Sequence, residues 1–225
     1  MIRLASGQVL LAGGCTGRLC ARANSTAELF DPSTGRWSLT GSMVSGADGE
    51  SPVSAGAVRL DSGQILVAGG FNFFSIGQLY DPVTGVWRAT ASMTTLRESL
   101  TLTKLPTGAV LAAGGCDAYC CQTILSSAEI CNPVSGLWDR TSDMHSPRVG
   151  HTAVAMPTGQ VLIAGGNTTA GVPTASAERY DAATASWFPT IPMRSPRAFH
   201  AAALLSNGQI LEAGGGPASA EVYTP

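Results

Sequence analysis

Three arginines recur at one spacing and could bind an anionic ligand. Each of Arg97, Arg148 and Arg197 stands four residues after a methionine. A guanidinium group offers a planar fork of donors that fits carboxylates and other planar polar groups. The same regularity also fits a structural tie to carbonyls or carboxylates of a neighbouring element, because buried donors need partners. The sequence leaves both interpretations open.

Two histidines and one glutamate could add proton-transfer chemistry. His151 and His200 follow two of these arginines by three residues, and histidine titrates close to neutral pH. Glu212 stands in the phrase QILEAGG, and the four other copies of this phrase have an apolar residue at its position. We treat all three as candidate ligand-binding residues, although two histidines in one register also fit a structural role.

One loop is rich in phenylalanine, and the sequence lacks the common catalytic motifs. Phe73 and Phe74 belong to a short loop with three phenylalanines, which is either a contact patch or the core of the loop. The sequence contains no Gly-x-Ser-x-Gly, no His-Glu-x-x-His and no phosphate-binding glycine loop. We therefore predict no catalytic residues and no cofactor, while an enzyme using Arg148, Arg197, His151 and Glu212 stays an alternative.

The chain has six cysteines, and four of them stand at equivalent loop positions of two repeats. Cys15 and Cys20 follow Gly14 by one and six residues, and Cys116 and Cys121 follow Gly115 in the same way. The economical interpretation is two local disulfides, Cys15–Cys20 and Cys116–Cys121. Cys120 and Cys131 are left as a third pair, or Cys131 is a buried free thiol, and Cys120 could exchange with Cys121. Cys-x₄-Cys without a nearby histidine is poor zinc geometry, so we predict no metal site.

The elements that must position these residues come from an internal repeat of about fifty residues. One phrase occurs five times, at Gln8–Gly14, Gln64–Gly70, Ala109–Gly115, Gln160–Gly166 and Gln209–Gly215. A second phrase follows each copy, at Ala27–Pro32, Gly77–Pro82, Ala128–Pro133, Ala177–Ala182 and Ala220–Pro225. In four copies a tryptophan follows: Trp37, Trp87, Trp138 and Trp187. A methionine stands six residues after each tryptophan: Met43, Met93, Met144 and Met193.

This pattern of di-glycine, aromatic and tryptophan resembles the kelch repeat over the whole chain. The resemblance is to the kelch-repeat β-propellers of the bacterial extracellular type, in the superfamily of the galactose oxidase central domain. It implies that Arg97, Arg148 and Arg197 reach the mouth of a central channel and hold acidic groups of a ligand. The copper-radical oxidases of that superfamily need a Tyr and His ligand set with a Cys–Tyr cross-link. Three of the four tyrosines here stand at the aromatic position of the repeat, and only Tyr119 lies in a loop.

The repeat predicts an all-β fold, a kelch β-propeller with five units of four-stranded antiparallel blades. The di-glycine phrase is apolar on both faces, which fits a strand between two neighbouring sheets. The di-glycine itself predicts positive φ or a close backbone approach, and Asp-Pro followed by Thr-Gly or Ser-Gly predicts a turn. The four tryptophans are expected to pack between blades.

The first and last units are expected to be incomplete. Met1–Leu4 aligns with the middle of an inner strand, and the chain reaches Pro225 before the outer strand of the fifth copy. We predict one propeller domain over residues 1–225, with units near 1–51, 52–95, 96–146, 147–196 and 197–225. Open blade edges would then favour self-association or pairing with another chain.

Composition restricts the partners. The net charge of −2 argues against nucleic acid, and no apolar run is long enough to enter a membrane. Paired loop cysteines indicate an oxidising location, so we predict an extracellular or cell-surface protein. Our leading hypothesis is a non-catalytic module that binds a protein or glycan through propeller-face loops. The alternatives are a small-molecule or sugar-modifying enzyme at the channel mouth, and a structural subunit of a larger assembly.

Overall fold

The computed structural model describes residues 1–16, 22–44, 54–70, 75–117, 121–168, 171–216 and 218–225. In this part of the chain, β-strands form five antiparallel sheets and one small hairpin. The first sheet contains β1 (Ile2–Arg3), β2 (Val9–Ala12), β5 (Ala27–Asp31) and β6 (Arg36–Thr40), and the hairpin contains β3 (Cys15–Thr16) and β4 (Arg22–Ala23).

The next three sheets have four strands each. The second contains β7 (Gly56–Arg59), β8 (Ile65–Ala68), β9 (Ile76–Asp81) and β10 (Val86–Ser92). The third contains β11 (Thr101–Lys104), β12 (Val110–Ala113), β13 (Ala128–Asn132) and β14 (Leu137–Arg140). The fourth contains β15 (Thr152–Ala155), β16 (Val161–Ala164), β17 (Ala177–Asp181) and β18 (Ser186–Thr190). The fifth has three strands, β19 (Ala201–Leu204), β20 (Ile210–Ala213) and β21 (Ala220–Tyr223).

These sheets are the blades of a five-bladed β-propeller. In each sheet the strands pair antiparallel in chain order, apart from the hairpin inserted in the first. The first strand of each sheet packs against the first strand of the next, in the order β1, β7, β11, β15 and β19. The predicted fold is thereby confirmed, including the short inner strand of the first blade and the three strands of the last.

The core lies between successive blades, as predicted for strands that are apolar on both faces. Every residue of β8, β12 and β16 is buried, whereas β2 and β20, in the terminal blades, are buried only in part. Trp87, Trp138 and Trp187 each lie in a separate apolar cluster that joins two neighbouring blades. Burying one such side chain contributes about 4–6 kcal/mol as an upper bound.

Trp37 departs from the expectation that all four tryptophans pack between blades. Its ring packs against Phe30 in the same blade, with centroids 5.1 Å apart, but its side chain is 49% exposed. The physical reason is its position: each of the other tryptophans faces the preceding blade, and no described residues form a blade before the first. Leu11 is also exposed on this face, whereas its equivalents Val67, Ala112 and Ile163 are buried.

The di-glycines need both positive φ and close backbone approach, as predicted. Gly114 and Gly115 have φ of 58° and 88°, and a Cβ at Gly114 would lie 2.6 Å from the carbonyl oxygen of Arg148 in the next blade. The backbone N–H of Gly115 donates to that same oxygen at 2.9 Å. No other residue type gives this approach without displacing the neighbouring blade.

Candidate functional site

The Arg97 side chain forms its hydrogen bonds with groups of its own blade. Its side chain is fully buried, and its guanidinium donates to Oε1 of Glu129 at 3.0 Å and to the carbonyl oxygen of Ser127 at 2.7 Å. Burial lowers the pKa of Arg97 below its ordinary value, and the charge of Glu129 opposes this shift. Glu129 also accepts the backbone N–H groups of Thr94 and Thr95, so one carboxylate holds the strand connection and the arginine together.

The same pair recurs in the fourth and fifth blades. Arg148 donates to Glu178 at 2.7 Å, and Arg197 donates to Glu221 at 3.1 Å; both arginine side chains are fully buried. Burial raises the pKa of Glu178, but hydrogen bonds from His145 and Arg148 outweigh it and leave the pKa below its ordinary value. These contacts agree with the structural interpretation, in which each arginine binds a carboxylate inside the protein. Ligand contact by the three arginines stays a prediction.

The second blade shows why the arginine and the glutamate belong together. Its arginine position is Pro52, which lies outside the described residues, and its glutamate position is Gln78. The Gln78 amide is buried and exchanges two hydrogen bonds with the backbone of Val44, at 2.8 and 2.9 Å. A neutral amide therefore replaces the carboxylate where the arginine is missing. Both exceptions are visible in the sequence, and their occurrence in one blade is a signal for the pairing.

The two candidate histidines are buried between blades. His151 is 6% exposed, and its Nε2 lies 3.0 Å from Oγ1 of Thr101 in the preceding blade. Burial, aided by the charge of Arg148, lowers the pKa of His151 to about 3, so the ring is neutral at pH 7. A neutral, enclosed imidazole of this kind does not exchange protons with a ligand in solvent.

His200 and Glu212 form one buried polar group with Thr152. Nε2 of His200 lies 3.2 Å from Oε2 of Glu212, and the Thr152 hydroxyl donates to the same carboxylate at 3.0 Å. These residues lie where the fourth and fifth blades meet, and Glu212 is 2% exposed. Glu212 therefore interacts inside the protein, in the strand where the other blades have an apolar residue.

The described residues form an open hollow where the inner strands of the third, fourth and fifth blades begin. We call it the mouth hollow; it encloses about 480 Å³. It is lined by Ser99, Cys121, Gln122, Thr123, Ile124, Val149, Asn167, Gly171 and Phe199. None of these residues has a carboxylate, imidazole, amine or guanidinium group, while hydroxyl and amide groups are present.

Phe199 and Asn167 are the prominent side chains of the mouth hollow. Phe199 is 70% exposed and has a φ of 54°, which is unusual for a bulky residue. Its ring lies over Gly150, where an added Cβ would meet ring atoms at 2.7–2.9 Å. Oδ1 of Asn167 is buried and has no hydrogen-bond partner in the part of the chain described. Strained backbone and unpaired polar atoms concentrate at functional sites.

Sequence analysis missed these residues, although a signal existed. Phe199 occupies a position that is Ser54, Ser99 and Gly150 in the other copies, and all four residues have positive φ. A phenylalanine where other copies have serine or glycine breaks the repeat. The predicted candidates Phe73 and Phe74 lie outside the described residues, so their contact role stays a prediction.

A disulfide fixes one wall of the mouth hollow. Cys116 and Cys121 are bonded to each other, as predicted. Oε1 of Glu98 lies 3.0 Å from Sγ of Cys121, and burial together with the charge of Asp117 raises the pKa of Glu98. The carboxylate and the two sulfur atoms lie within 4.8 Å of one another, but a disulfide lacks the thiolates that bind metals.

The structure describes two of the four remaining cysteines. Cys15 is disulfide-bonded, and its predicted partner Cys20 lies outside the described residues, as does Cys120. Cys131 is a buried free thiol, which is the second of the two alternatives for this residue. Burial raises the pKa of Cys131 to about 12, so its thiol is protonated and unreactive at neutral pH.

Fold and repeat together define a class, the β-propellers built from repeated four-stranded blades. The family model described as "Kelch motif" matches residues 6–44, which cover most of the first blade, and the other blades repeat the same phrases. This match and the five-bladed fold together support a kelch-repeat propeller. A search of curated proteins gave no significant match. Within the described residues, no helix has the length and hydropathy to cross a membrane.

Proposed function

We propose that this propeller is a non-catalytic binding module that recognises a protein or glycan outside the cell through the mouth hollow. One observation carries the proposal: an exposed Phe199 in a strained backbone conformation lines the same hollow as Asn167, whose buried Oδ1 has no hydrogen-bond partner among the described residues. An apolar ring with a few fixed polar groups is the usual composition of a binding site. Kelch propellers are commonly used for protein interaction, which agrees with this assignment.

The chemistry of the lining favours recognition over catalysis. Gln122, Thr123 and Ser99 supply amide and hydroxyl groups, and Phe199 supplies a flat ring for a peptide side chain or a sugar face. The candidate catalytic groups His151, His200 and Glu212 are buried between blades instead. A sugar-modifying or small-molecule enzyme remains the alternative, and it requires reactive groups outside this lining.

Binding can be tested with two probe sets, a glycan array and a phage-displayed peptide library. The variants are Phe199→Ser and, as a matched control, Phe188→Ser, since Phe188 is 41% exposed on the outer strand of the fourth blade. We expect Phe199→Ser to abolish binding that Phe188→Ser retains. Equal binding by both variants would refute the mouth hollow as the site. Turnover of a bound sugar, measured by product release, would favour the enzyme.

An extracellular or cell-surface location is part of the proposal. The Cys116–Cys121 disulfide supports it, because such bonds persist in oxidising compartments. Alkylation of the protein as isolated from its source, followed by mass spectrometry, tests the location. We expect Cys116 and Cys121 to be unmodified before reduction and modified after it. Free thiols at both positions in freshly isolated protein would contradict the location.

Self-association is a second candidate role, supported by the uncovered face of the first blade. Leu11 and Trp37 are 41% and 49% exposed there. The equivalent face of every later blade packs against the preceding blade. On the fifth blade, Val222 is 51% exposed, at the position that Leu79 fills in the contact between the second and third blades. The face of the first blade therefore matches the uncovered face of the fifth blade in another copy.

A further inference from the structure

The two cysteines of the Cys116–Cys121 disulfide differ in their access to solvent. Cys116 is fully buried, whereas Cys121 lines the mouth hollow. Cys121 also has a φ of 56°, a backbone conformation that is uncommon for residues other than glycine. Because thiol–disulfide exchange begins with attack on a sulfur atom that the incoming thiolate can reach, Cys121 is the accessible end of this bond and Cys116 is the enclosed end.

A buried carboxyl group lies against both sulfur atoms. Oε1 of Glu98 lies 3.0 Å from Sγ of Cys121 and 3.5 Å from Sγ of Cys116, and Glu98 is 6% exposed. The backbone N–H groups of Glu98 and Cys116 each donate to the carbonyl oxygen of the other residue, at 2.9 and 3.0 Å. Backbone pairing therefore holds the carboxyl group within hydrogen-bond distance of the disulfide.

Glu98 breaks the repeat and has no cationic partner. Its position, directly after the repeated arginine, is Val149 in the fourth blade and Ala198 in the fifth, and both of these residues are buried. Among the described residues Glu98 forms no ion pair, because the guanidinium of the adjacent Arg97 binds a different carboxylate. A buried acid without a cation is costly to the fold, so a role in chemistry explains its presence better than a role in packing.

The environment of Glu98 suits proton exchange with a thiol. Burial raises its pKa, and the nearby charge of Asp117 raises it further. A thiol in solution has a pKa near 8.5, so this shift brings the carboxyl group closer to the thiol and makes proton transfer between them easier.

We propose that Cys121 is a site of reversible modification by an external thiol, with Glu98 carrying the proton. The thiolate of the incoming thiol attacks Sγ of Cys121 and forms a mixed disulfide there. The Cys116–Cys121 bond breaks, its electron pair leaves on Sγ of Cys116, and the Glu98 carboxyl group gives its proton to that sulfur. Glu98 then regains a proton from solvent.

The modification can proceed further or reverse. A second thiolate that attacks the incoming sulfur of the mixed disulfide releases an external disulfide, so that two external thiols are oxidised while Cys116 and Cys121 become thiols. In the reverse direction, the Glu98 carboxylate takes the proton of Cys116, whose thiolate attacks Sγ of Cys121 and expels the external thiolate. This exchange does not require a ligand in the mouth hollow, so the binding proposal and this one can fail separately.

The first test measures reduction of the disulfide in the 225-residue protein by reduced glutathione and by a neutral peptide with one cysteine. Samples are quenched with acid, alkylated and analysed by mass spectrometry, with the disulfide of Cys15 as the internal reference. At pH 6 we expect Glu98→Gln to slow reduction of Cys116–Cys121 roughly tenfold or more, because an amide cannot give up a proton, and to leave the reference rate unchanged. The faster probe at equal thiolate concentration identifies a small thiol or a polypeptide as the source.

The pH profile separates proton transfer from a structural role. Divided by the thiolate concentration, the rate for the unmodified protein should fall as pH rises from 5 to 8, because ionised Glu98 has no proton to give. The rate for Glu98→Gln should stay constant over this range. Equal rates and parallel profiles for the two proteins would overturn the assignment of Glu98.

Glu98→Val gives a second variant that is expected to fold, since the fourth blade has valine at this position. It should match the unmodified protein in urea unfolding or exceed it, and its disulfide should still react slowly. If Glu98 only supports the loop, this variant is less stable and its disulfide is reduced faster, which contradicts the proposal.

Two cysteine variants test which sulfur is attacked, both with Cys120→Ser so that the neighbouring cysteine cannot compete. Cys116→Ser leaves Cys121 as a thiol, and we expect it to form a lasting mixed disulfide with glutathione disulfide. Cys121→Ser leaves the buried Cys116, which should stay unmodified. Modification of Cys116 but not of Cys121 would reverse the assignment and reject Cys121 as the site.

Discussion

At the scale of single residues, the buried arginine–glutamate pair is the main polar interaction of this propeller. Each pair ties the beginning of the inner strand to the third strand of the same blade, while the arginine carbonyl accepts a hydrogen bond from the di-glycine of the preceding blade. The pair therefore recurs because each of these blades needs the same connection between its strands. Breaking one partner leaves a buried charge, which costs more than the pair itself contributes.

Glu178→Gln should lower the free energy of unfolding by about 3–5 kcal/mol, because Arg148 keeps its charge in a buried site. The folded-state pKa of Glu178 is lowered, so its stabilisation is present above the unfolded pKa near 4.3 and is lost as pH falls through the folded pKa. Urea unfolding at pH 7 and at pH 3 should show a smaller acid-induced loss in the variant. Gln78→Glu, the reverse change in the second blade, should also destabilise.

His151 should make the protein less stable in mild acid. Its pKa is lowered to about 3, whereas an unfolded histidine has a pKa near 6.5. Protons therefore bind the unfolded chain first, and stability should fall by up to about 1.4 kcal/mol per pH unit as pH drops from 6.5 towards 3. His151→Asn should reduce this slope. An imidazole NMR signal of His151 that titrates near pH 6.5 in the folded protein would contradict the assignment.

The sequence predicted which residue types recur, but not their burial. A guanidinium at a repeated position fits a ligand or a carboxylate equally well until strand pairing shows that Glu129, Glu178 and Glu221 lie within reach. That pairing is a long-range property. Phe199 breaks the repeat in the sequence, but the positive φ and the exposure that give it weight are shown only by the structure.

At the scale of elements, the turn residues and the apolar pattern of the strands predicted most of the fold. The Asp-Pro turns form as expected: Asp31 and Asp81 accept the backbone N–H two residues on, at 2.8 and 2.9 Å. Strands with two apolar faces are buried wherever a blade stands on both sides. The exposure of Trp37 was unpredictable from its own repeat, because it depends on what lies beyond the blade.

Gly150→Ala should disturb the mouth hollow more than its backbone strain alone would. Gly150 has a φ of 65°, and a Cβ there would collide with the ring of Phe199. Gly35→Ala is the matched control, since Gly35 has a φ of 69° with open space around it, and Ala185 already fills the equivalent turn of the fourth blade. Both changes should cost about 1 kcal/mol of backbone strain. Only Gly150→Ala should also weaken ligand binding, as measured with the best probe from the array or library.

At the scale of the whole molecule, the two terminal blades differ from the three between them. Each inner blade contacts a neighbour on both faces, while the first blade exposes Trp37 and the fifth exposes Val222 and the edge of β21. Large uncovered apolar surfaces of this kind are typical of interaction sites. We therefore expect partners at the proposed mouth hollow and at the uncovered face of the first blade.

Trp37→Arg should reduce self-association without unfolding the protein, because the side chain is half exposed and touches mainly its own blade. Sedimentation velocity over a range of protein concentrations measures the effect. We expect the unmodified protein to show concentration-dependent species and the variant to sediment as a monomer. Val83→Arg is the control, since Val83 is 93% exposed in a turn. A protein that is monomeric at every concentration would contradict this role.

The uneven burial of the second strands predicts which blades unfold first. Backbone amides in β8, β12 and β16 are enclosed on both sides, whereas β2 and β20 have one lightly covered side. Since stability in a repeat array is a sum of units and nearest-neighbour contacts, the terminal blades can fray while the middle three stay intact. Amide hydrogen exchange should accordingly be slowest in the third blade and become faster towards both ends. A partner that covers a terminal blade would remove this gradient on its own side.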